Sequence, residues 1–398
     1  MNKIFMYALC FLIVGCGSAE RTNLSVVMSL TEEEWSVFRG RIFPLFEKQH
    51  MITINAYQIT AGQLATKLEA LVHAGRSEID VCAQDNMSLA RLVAQNLVDD
   101  LSEYENAIPS QVFPNLIDAI KFDGKLYFMP FRPNVQIVLY NKKKFSEYGI
   151  DPPRTWKNLL DVGRIFNEKE GIGRLLVKGY GGNPTATQVY EFILQAGGSP
   201  YAFNDHGCRR AFSFLQKLKP YCSPESGRAK WDTVNDILAH QEAYIAQNWP
   251  FAIPILIRDY QLDFIDTYSG WAGPAGEYHV IGGDVLGIPV NAKFKEQALE
   301  FIYFLQSKEV QEILVEELGW PSIRNDAYAR VSDWQKKHFQ SVTEALQHGV
   351  YRDNVPWWPA YKKYISRAFQ DIVMDGADVK KTLDTYKTML EEEKALYQ

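Results

Sequence analysis

Regular alternation between short apolar strands and amphipathic helices is the feature that most restricts the fold of this chain. Three early segments have the apolar composition of buried strands, and the segments between them place apolar residues at helical spacing. The predicted strands are residues 24–29, 52–57 and 79–82, and the predicted helices are residues 32–48 and 62–73. Such alternation is typical of βαβ units with parallel strands.

The remainder of the chain continues this α/β pattern and then becomes largely helical. Further strands are predicted at residues 136–140, 244–246 and 285–289. The last third is predicted to contain helices at residues 296–305, 310–318, 334–346 and 361–373. A chain of 398 residues is long enough for two domains with separate cores.

The first sixteen residues have the features of a secretion signal. Lys3 precedes an apolar block at residues 4–14, which is too short to span a bilayer, since a spanning helix needs roughly 20 residues. The sequence Ile13-Val14-Gly15-Cys16 resembles the lipobox of bacterial lipoproteins, whose cysteine is lipid-modified after cleavage. We expect Cys16 to anchor an exported protein to the membrane, with residues 17–23 as a tether. An ordinary signal peptide with an incidental cysteine, or a simple apolar anchor, is the alternative.

Composition restricts the class of partner. The chain has 42 basic and 48 acidic residues, a net charge of −6, which argues against nucleic acid as the main partner. Aromatic residues make up 13% of the chain, and their rings either bind the apolar faces of polar ligands or fill cores.

The cysteines do not predict a disulfide framework. A helix over residues 209–219 would place Cys208 and Cys222 roughly 20 Å apart, whereas a disulfide needs Cα atoms within about 7 Å. Both are therefore predicted to be unpaired, and Cys82 is predicted to be a small core residue.

No sharp catalytic or cofactor motif is present in the sequence. The seven histidines are scattered without HExxH spacing, and there is no GxSxG or GxxxxGK[ST] pattern, so neither a metal nor another cofactor is expected. Residues 178–182 are rich in glycine but lack the dinucleotide fingerprint, and a flexible loop is the better interpretation. A pair of glycosidase carboxylates stays possible from spacing alone.

Five segments resemble, in order, the family 1 extracellular solute-binding proteins, which are sugar receptors of ATP-binding-cassette importers. These segments are residues 79–101, 121–159, 193–205, 243–254 and 281–314. The resemblance implies a type II periplasmic-binding-protein fold with two α/β lobes, each a mostly parallel sheet flanked by helices, and a sugar in the cleft between them. It also implies a permease with its ATPase as partners, and no enzymatic activity.

The same resemblance suggests approximate lobe boundaries. Lobe 1 would comprise residues 24–130 and 286–322, and lobe 2 would comprise residues 131–285 and 323–398. Hinges would lie near residues 131–134, 283–286 and 322–325, where a few backbone dihedrals change while each lobe stays rigid.

Ligand contacts in lobe 1 are expected just after the early strands, because ligands of doubly wound sheets bind at the carboxyl ends of strands. Glu32 follows the first strand, although Thr31 and Glu34 also form a capping-box pattern. Asp85 and Asn86 follow the third strand. Both are expected to contact ligand, with Asp85 accepting from a sugar hydroxyl, and the alternative is a cap for the next helix, a role that Asn86 could combine with binding.

Further candidates lie at the first two crossings between the lobes. Arg132 and Asn134 are expected to contact ligand at the first crossing, or Arg132 only anchors the lobes. Gly283 would let the backbone approach a ligand. Many relatives have a Trp after the paired glycines, but here Asp284 would supply an acceptor instead of a stacking face, which puts a maltose-type preference in doubt.

The remaining candidates are two tryptophans and an arginine. Trp249 matches the tryptophan that stacks on sugar in the maltose-binding protein, and a core position is its alternative. Trp271 is evenly balanced between the cleft and the core. Arg324, at the third crossing, would reach a sugar hydroxyl or pair with Asp326.

The sequence thus predicts a lipid-anchored receptor that captures a mono- or oligosaccharide by hinge closure. One alternative is a receptor of the same fold for a polyamine, peptide or organic anion. An exported glycoside hydrolase and a surface scaffold are less favoured alternatives.

Overall fold

The computed structural model describes residues 22–118 and 120–397, which form two large sheets covered by helices and one separate two-stranded sheet. The predicted signal segment and Cys16 lie outside the described residues. Among the described residues, no helix is both long and apolar enough to cross a membrane.

The strands are short and mostly buried. They are β1 (Asn23–Met28), β2 (Thr53–Gln58), β3 (Val81–Asp85), β4 (Lys121–Phe122), β5 (Lys125–Leu126), β6 (Met129–Val135), β7 (Ile137–Asn141), β8 (Leu175–Leu176), β9 (Ile245–Asn248), β10 (Ile265–Tyr268), β11 (His279–Gly287) and β12 (Gly349–Tyr351).

The helices lie between these strands and dominate the last third of the chain. They are α1 (Glu32–Val37), α2 (Phe43–His50), α3 (Ala61–His73), α4 (Leu89–Ala94), α5 (Pro114–Asp118), α6 (Lys142–Glu147), α7 (Trp156–Glu170), α8 (Gly182–Gln195), α9 (His206–Leu218), α10 (Trp231–Ala239), α11 (Lys295–Leu305), α12 (Lys308–Leu318), α13 (Asp333–Gln347), α14 (Trp358–Phe369) and α15 (Val379–Lys394).

We call the part of the structure that is built on the six-stranded sheet lobe 1. Its order is β12-β11-β3-β1-β2, with β6 also paired to β11. Strand β1 pairs in parallel with both β2 and β3, as the alternating sequence predicts. Phenylalanines from α1 through α2 and from α11 fill the space beside the sheet, including Phe38, Phe46 and Phe301.

Lobe 2 is the part built on the four-stranded sheet, whose order is β10-β7-β9-β8. Helices α7, α8, α9 and α14 pack around it in a second core. The two-lobed α/β fold is confirmed, but the expectation of a mostly parallel sheet is wrong for lobe 2. Strand β7 pairs antiparallel with both β10 and β9, and only β8 and β9 are parallel.

Two long strands connect the lobes side by side. Strand β6 leads directly into β7 of lobe 2, and β11 pairs antiparallel with β6 from Ile281 to Leu286. The register shifts between Asp284 and Val285, where a β-bulge forms. Gly283 has a φ of 109°, and a Cβ there would overlap the carbonyl oxygen of Arg132. Only glycine fits this crossing.

Helix α13 bridges the two lobes, although its sequence position suggested lobe 2. Val342, Ala345 and Leu346 belong to the core of lobe 1. On its other side, His338 Nδ1 lies 2.8 Å from the hydroxyl oxygen of Thr267 on β10. The helix therefore contacts both lobes.

The described cysteines confirm the prediction of unpaired thiols. Cys82, Cys208 and Cys222 are free and buried. Burial raises the pKa of the Cys82 thiol and of the Cys222 thiol to about 12, so both are protonated, apolar core residues.

Candidate ligand-binding site

A groove of about 800 Å³ runs between the lobes beside the crossing strands. Lobe 1 supplies polar and aromatic side chains that include Glu33, Glu34 and Trp320. Lobe 2 supplies residues 250–259, which follow β9, and α13 supplies Trp334. A ligand in this groove would contact both lobes at once, as a ligand that drives closure must.

Arg132 organises the polar side of the groove. Its Nη1 donates to Glu34 Oε1 at 3.0 Å, and its Nη2 donates to Asp284 Oδ2 at 2.7 Å. The guanidinium lies over the ring of Trp320 at 4.3 Å, and the indole N–H of Trp320 donates to the same Glu34 oxygen at 3.0 Å. Two carboxylates and an aromatic plane therefore fix this arginine in one orientation.

Asp284 does not have the role that the sequence suggested. It stands opposite Arg132 in the β6–β11 ladder, and its carboxylate is bound to that arginine. Burial raises the pKa of Asp284, and the positive charge of Arg132 opposes the rise. The acid compensates a neighbouring guanidinium instead of presenting a free acceptor to a ligand.

The paired glycines before Asp284 serve packing in this structure. A Cβ on Gly282 would lie 3.0 Å from the indole of Trp249, and one on Gly283 would overlap the backbone of Arg132. From the sequence, Gly283 is expected to let the backbone approach a ligand. In the structure it lets β11 approach β6 closely instead.

Asp85 lies at the carboxyl end of β3, as predicted, and reaches the same charged region. Its Oδ1 accepts from the backbone N–H of Met87 at 2.8 Å, so Asp85, and not Asn86, caps the following turn. Burial, reinforced by the negative charge of Asp284, raises the pKa of Asp85 to about 6. Asn86 is buried, and its Nδ2 donates to the carbonyl of Ile281 on β11 at 3.2 Å.

Asn134 and Trp249 take different positions. Asn134 is partly exposed and lines the groove. Trp249 is only 7% exposed and packs edge-on against Trp231, with ring centroids 5.8 Å apart. In this segment the aromatic residue that lines the groove is Phe251, two residues after Trp249, and it is 39% exposed. The sequence feature that could have identified Phe251 is its position in the loop after the buried strand β9.

Most of the predicted site residues lie outside the groove lining, and Glu32, Trp271 and Arg324 are three of them. Glu32 is solvent-exposed in the first turn of α1, whereas Glu33 and Glu34 line the groove. Trp271 is a core residue of lobe 2, with its ring centroid 6.4 Å from that of Phe192.

Arg324 is also a structural residue. It is buried, and its Nε and Nη2 donate to the two carboxylate oxygens of Asp326 at 2.8 and 2.9 Å. This bidentate pair was the alternative that the sequence left open, and it leaves those two nitrogens no donor for a sugar.

A second polar region, which sequence reasoning missed, surrounds Arg352 beyond β12. Arg352 is only 7% exposed, and its guanidinium lies over the ring of Trp358 at 4.2 Å. Burial lowers the pKa of Arg352 to about 10, while the charge of Asp85 favours its protonation. Its Nε and Nη1 have no hydrogen-bond partner within residues 22–118 and 120–397, nor does the hydroxyl of Tyr361.

The segment that carries Arg352 touches lobe 1 directly. Asn354 Oδ1 accepts from the backbone N–H of Leu89, the first residue of α4, at 3.1 Å. Met87 of lobe 1 packs against the core of lobe 2 nearby. We call the region of the groove around Arg132 the Arg132 end and the region around Arg352 the Arg352 end, and the positive charges of both arginines oppose the rise in the pKa of Asp85.

The described part of the chain contains no group of three or more His, Cys, Asp or Glu side chains that could hold a metal ion. The charged groups of the groove and of the Arg352 region can hydrogen-bond to a ligand, and the aromatic rings there offer apolar faces. Such a combination suits a ligand with both polar edges and apolar surfaces.

Two lobes, strands crossing between them and a groove lined from both sides are the architecture of a two-lobed binding protein. A family model described as bacterial extracellular solute-binding protein matches residues 43–341. The chain belongs to this family, which is one of binding receptors and not of enzymes.

Individual relatives are distant but similar over most of their length. The maltotriose-binding protein of Pyrococcus abyssi is 23% identical over 378 residues, covering 87% of this chain and 78% of that protein. An uncharacterised extracellular-binding protein of an ABC transporter from Pyrococcus horikoshii is 27% identical over 306 residues, covering 73% and 70%.

Solved structures show the same fold. The sugar-binding protein MalE from Xanthomonas citri has a TM-score of 0.83 at 18% identity, covering 94% of this chain and 99% of that one. Maltose-bound MalE3 from T. maritima has a TM-score of 0.74 at 18% identity, covering 93% and 99%. At these identities the likeness concerns the fold alone.

Proposed function

We propose that this protein is the extracytoplasmic, lipid-anchored receptor of an ABC importer and that it binds a mono- or oligosaccharide by hinge closure. The observation that carries the proposal is the groove of about 800 Å³ to which both lobes contribute side chains. The similarity to a maltotriose-binding protein and to an extracellular-binding protein of an ABC transporter supports the ligand class and the partner.

The chemistry of the groove fits a carbohydrate. Sugars present hydroxyl edges, which hydrogen-bond to carboxylates, amides and guanidinium groups, and C–H faces, which pack on aromatic rings. The proposed contacts in the groove are Glu33 from lobe 1, Asn134 from the first crossing and Phe251 from lobe 2. Asp85, at the end of β3, is a further proposed contact outside the groove lining. Trp249 has a structural role beside these contacts, because its buried indole packs against Gly282 of β11.

Closure would rotate the lobes about the crossing strands. The fixed Arg132 lies where β6 and β11 run side by side, so it keeps its partners while residues on either side bend. A bound ligand that touches both lobes shifts the population toward the closed form, because it makes more contacts there. The permease with its ATPase would recognise that form.

Membrane attachment rests on the sequence around Cys16. Replacing Cys16 by serine should abolish incorporation of labelled fatty acid and release the protein from the membrane fraction. An unchanged membrane association of the Cys16→Ser variant would contradict lipid anchoring, without affecting the binding proposal.

Thermal unfolding in the presence of neutral sugars, sugar acids, amino acids and polyamines tests the ligand class. Full-length protein in a non-glycosidic detergent is the sample. A ligand that binds only the native state at about 100 times its Kd adds about 2.7 kcal/mol of stability. Stabilisation by a carbohydrate that is recovered intact supports a receptor. New reducing ends would indicate a hydrolase, and stabilisation by polyamines or amino acids alone would contradict a sugar receptor.

A further inference from the structure

Unsatisfied hydrogen-bond donors gather at the Arg352 end of the site. The Nε and Nη1 groups of Arg352 are buried without a partner within the described ranges, and the hydroxyl of Tyr361 is in the same condition. Both side chains contact Trp358: the guanidinium lies 4.2 Å from its ring, and the ring centroid of Tyr361 lies 5.2 Å away. A buried guanidinium without a hydrogen-bonded acceptor is costly, so this region favours a ligand that supplies acceptors.

The protein groups around these donors do not supply the acceptor. Tyr190, on α8, lies with its ring centroid 6.4 Å from that of Tyr361. Tyr201, which follows α8 in the chain, packs against Tyr361 with ring centroids 5.0 Å apart. The hydroxyl of Tyr201 already donates to the carbonyl of Asp353 at 2.8 Å. Burial raises the pKa of Tyr190 to about 12 and that of Tyr361 well above its usual value, so both stay protonated donors.

Asp85, on β3, is the acid that interacts electrostatically with Arg352. It makes no ion pair with Arg352 in this structure, and its Oδ1 is occupied by the N–H of Met87. It also feels the charges of Asp284 and Arg132 at the other end. The acid is therefore a neighbour of the donor cluster and not its partner.

We propose that the solute carries a carboxylate, as a sugar acid does, and that Arg352 is the specificity-determining residue that binds it. This inference rests on the proposed function as a carbohydrate receptor and specifies the chemistry of the ligand. A carboxylate offers two oxygens to the fork of a guanidinium and further lone pairs to a tyrosine hydroxyl. It also compensates the buried positive charge, which neutral sugar hydroxyls cannot do.

The ligand reaches Arg352 when the lobes separate. In this structure the residues after β12 contact both lobes, because Asn354 accepts from the backbone N–H of Leu89 in lobe 1 and Arg352 lies on Trp358 of lobe 2. Closure then brings Asp85 toward the bound carboxylate, and two like charges in a partly buried site repel each other. Because the pKa of Asp85 is raised to about 6, its protonation below that pH removes the repulsion.

Calorimetric titration of the full-length protein with two matched panels tests this inference. One panel contains glucuronate, galacturonate and their oligosaccharides, and the other contains glucose, galactose, maltotriose and galactobiose. We expect a uronate to bind at least tenfold more tightly than its neutral counterpart. Arg352→Gln should weaken that uronate about 10- to 100-fold, the size of a lost charge-assisted hydrogen bond, and leave neutral sugars nearly unchanged.

A control variant and a pH series test whether the effect is specific to Arg352 and to the charge of the ligand. Arg164→Gln, an exposed position on α7, should change neither affinity. Lowering the pH from 7.5 to 5.5 should strengthen uronate binding, and Asp85→Asn should remove that pH dependence. Should Arg352→Gln fail to fold, Tyr361→Phe, which removes only a hydroxyl, should lower the uronate preference several-fold.

Equal binding of both panels, or an equal loss for both in Arg352→Gln, would overturn the carboxylate assignment while the receptor function stands. Binding of neither panel would overturn the proposed function, and this inference with it.

Discussion

The two ends of the interlobe site each contain an arginine on an aromatic ring, but only one of these arginines has partners. At the Arg132 end, the guanidinium over Trp320 is bound by Glu34 and Asp284. At the Arg352 end, two nitrogens of the guanidinium over Trp358 have no partner among the described residues. This difference is why we assign the first arginine to the crossing and propose the second as a ligand-binding residue.

The largest expected effect tests whether the Arg132 end is a rigid part of the crossing. Gly283→Ala places a Cβ against the Arg132 carbonyl at a φ of 109° and should lower the free energy of unfolding by about 4 kcal/mol, as backbone strain and overpacking add. Urea unfolding measures it. Gly376→Ala is the control, because its φ of 81° carries strain but no atom lies within 4 Å. An equal loss of unfolding free energy in Gly283→Ala and Gly376→Ala would contradict the close contact between Gly283 and the backbone of Arg132.

The second prediction compares the two arginines directly. Arg132→Met leaves two carboxylates uncompensated and should lower the free energy of unfolding by about 2–3 kcal/mol. Arg352→Met removes a buried charge without a partner and should be neutral or stabilising in the absence of ligand. Urea unfolding of both variants is the measurement. A similar cost at both sites would show that Arg352 also has a structural partner.

The third prediction concerns Asp85, which interacts with both ends. Its pKa is raised from 3.8 to about 6, so the folded state binds its proton more tightly than the unfolded state does. Its ionisation therefore lowers stability as the pH rises from about 4 to above 6, by about 2–3 kcal/mol in total. Asp85→Asn should remove this part of the pH dependence in unfolding experiments between pH 4 and 7.5. An unchanged profile would place Asp85 in a solvated environment.

The smallest expected effect separates a groove residue from a core residue. Phe251→Ala should change the free energy of unfolding by less than about 1 kcal/mol, because the ring is 39% exposed, yet it should weaken carbohydrate binding. Trp249→Ala, at a buried ring, should cost about 3–5 kcal/mol. Calorimetric titration and urea unfolding of both variants distinguish the roles. A large loss of stability in Phe251→Ala would contradict its place in the groove.

The sequence predicted the parts of this structure that depend on local pattern. Strand and helix periodicity identified βαβ units in lobe 1, and the rule that ligands bind after strand ends led to Asp85. Arg132 and Asn134 were located at a crossing because the segments resemble those of a known family. These features depend on residues close together in the chain.

The predictions that failed depend on contacts between distant segments. The sequence suggests a free acceptor at Asp284, because its partner Arg132 is revealed only by the β6–β11 register. Trp271 could not be assigned to the core without knowing that Phe192 packs against it. Arg352 follows a three-residue edge strand that no pattern identified, so its burial among aromatic rings from α8 and α14 was invisible in the sequence.

Small-angle X-ray scattering tests most directly whether the two lobes close on a shared ligand. The radius of gyration of the protein should be measured with and without the carbohydrate that stabilises it most. A hinged receptor predicts a smaller radius in the complex, since the ligand draws both lobes together. Saturated binding with an unchanged radius would contradict it.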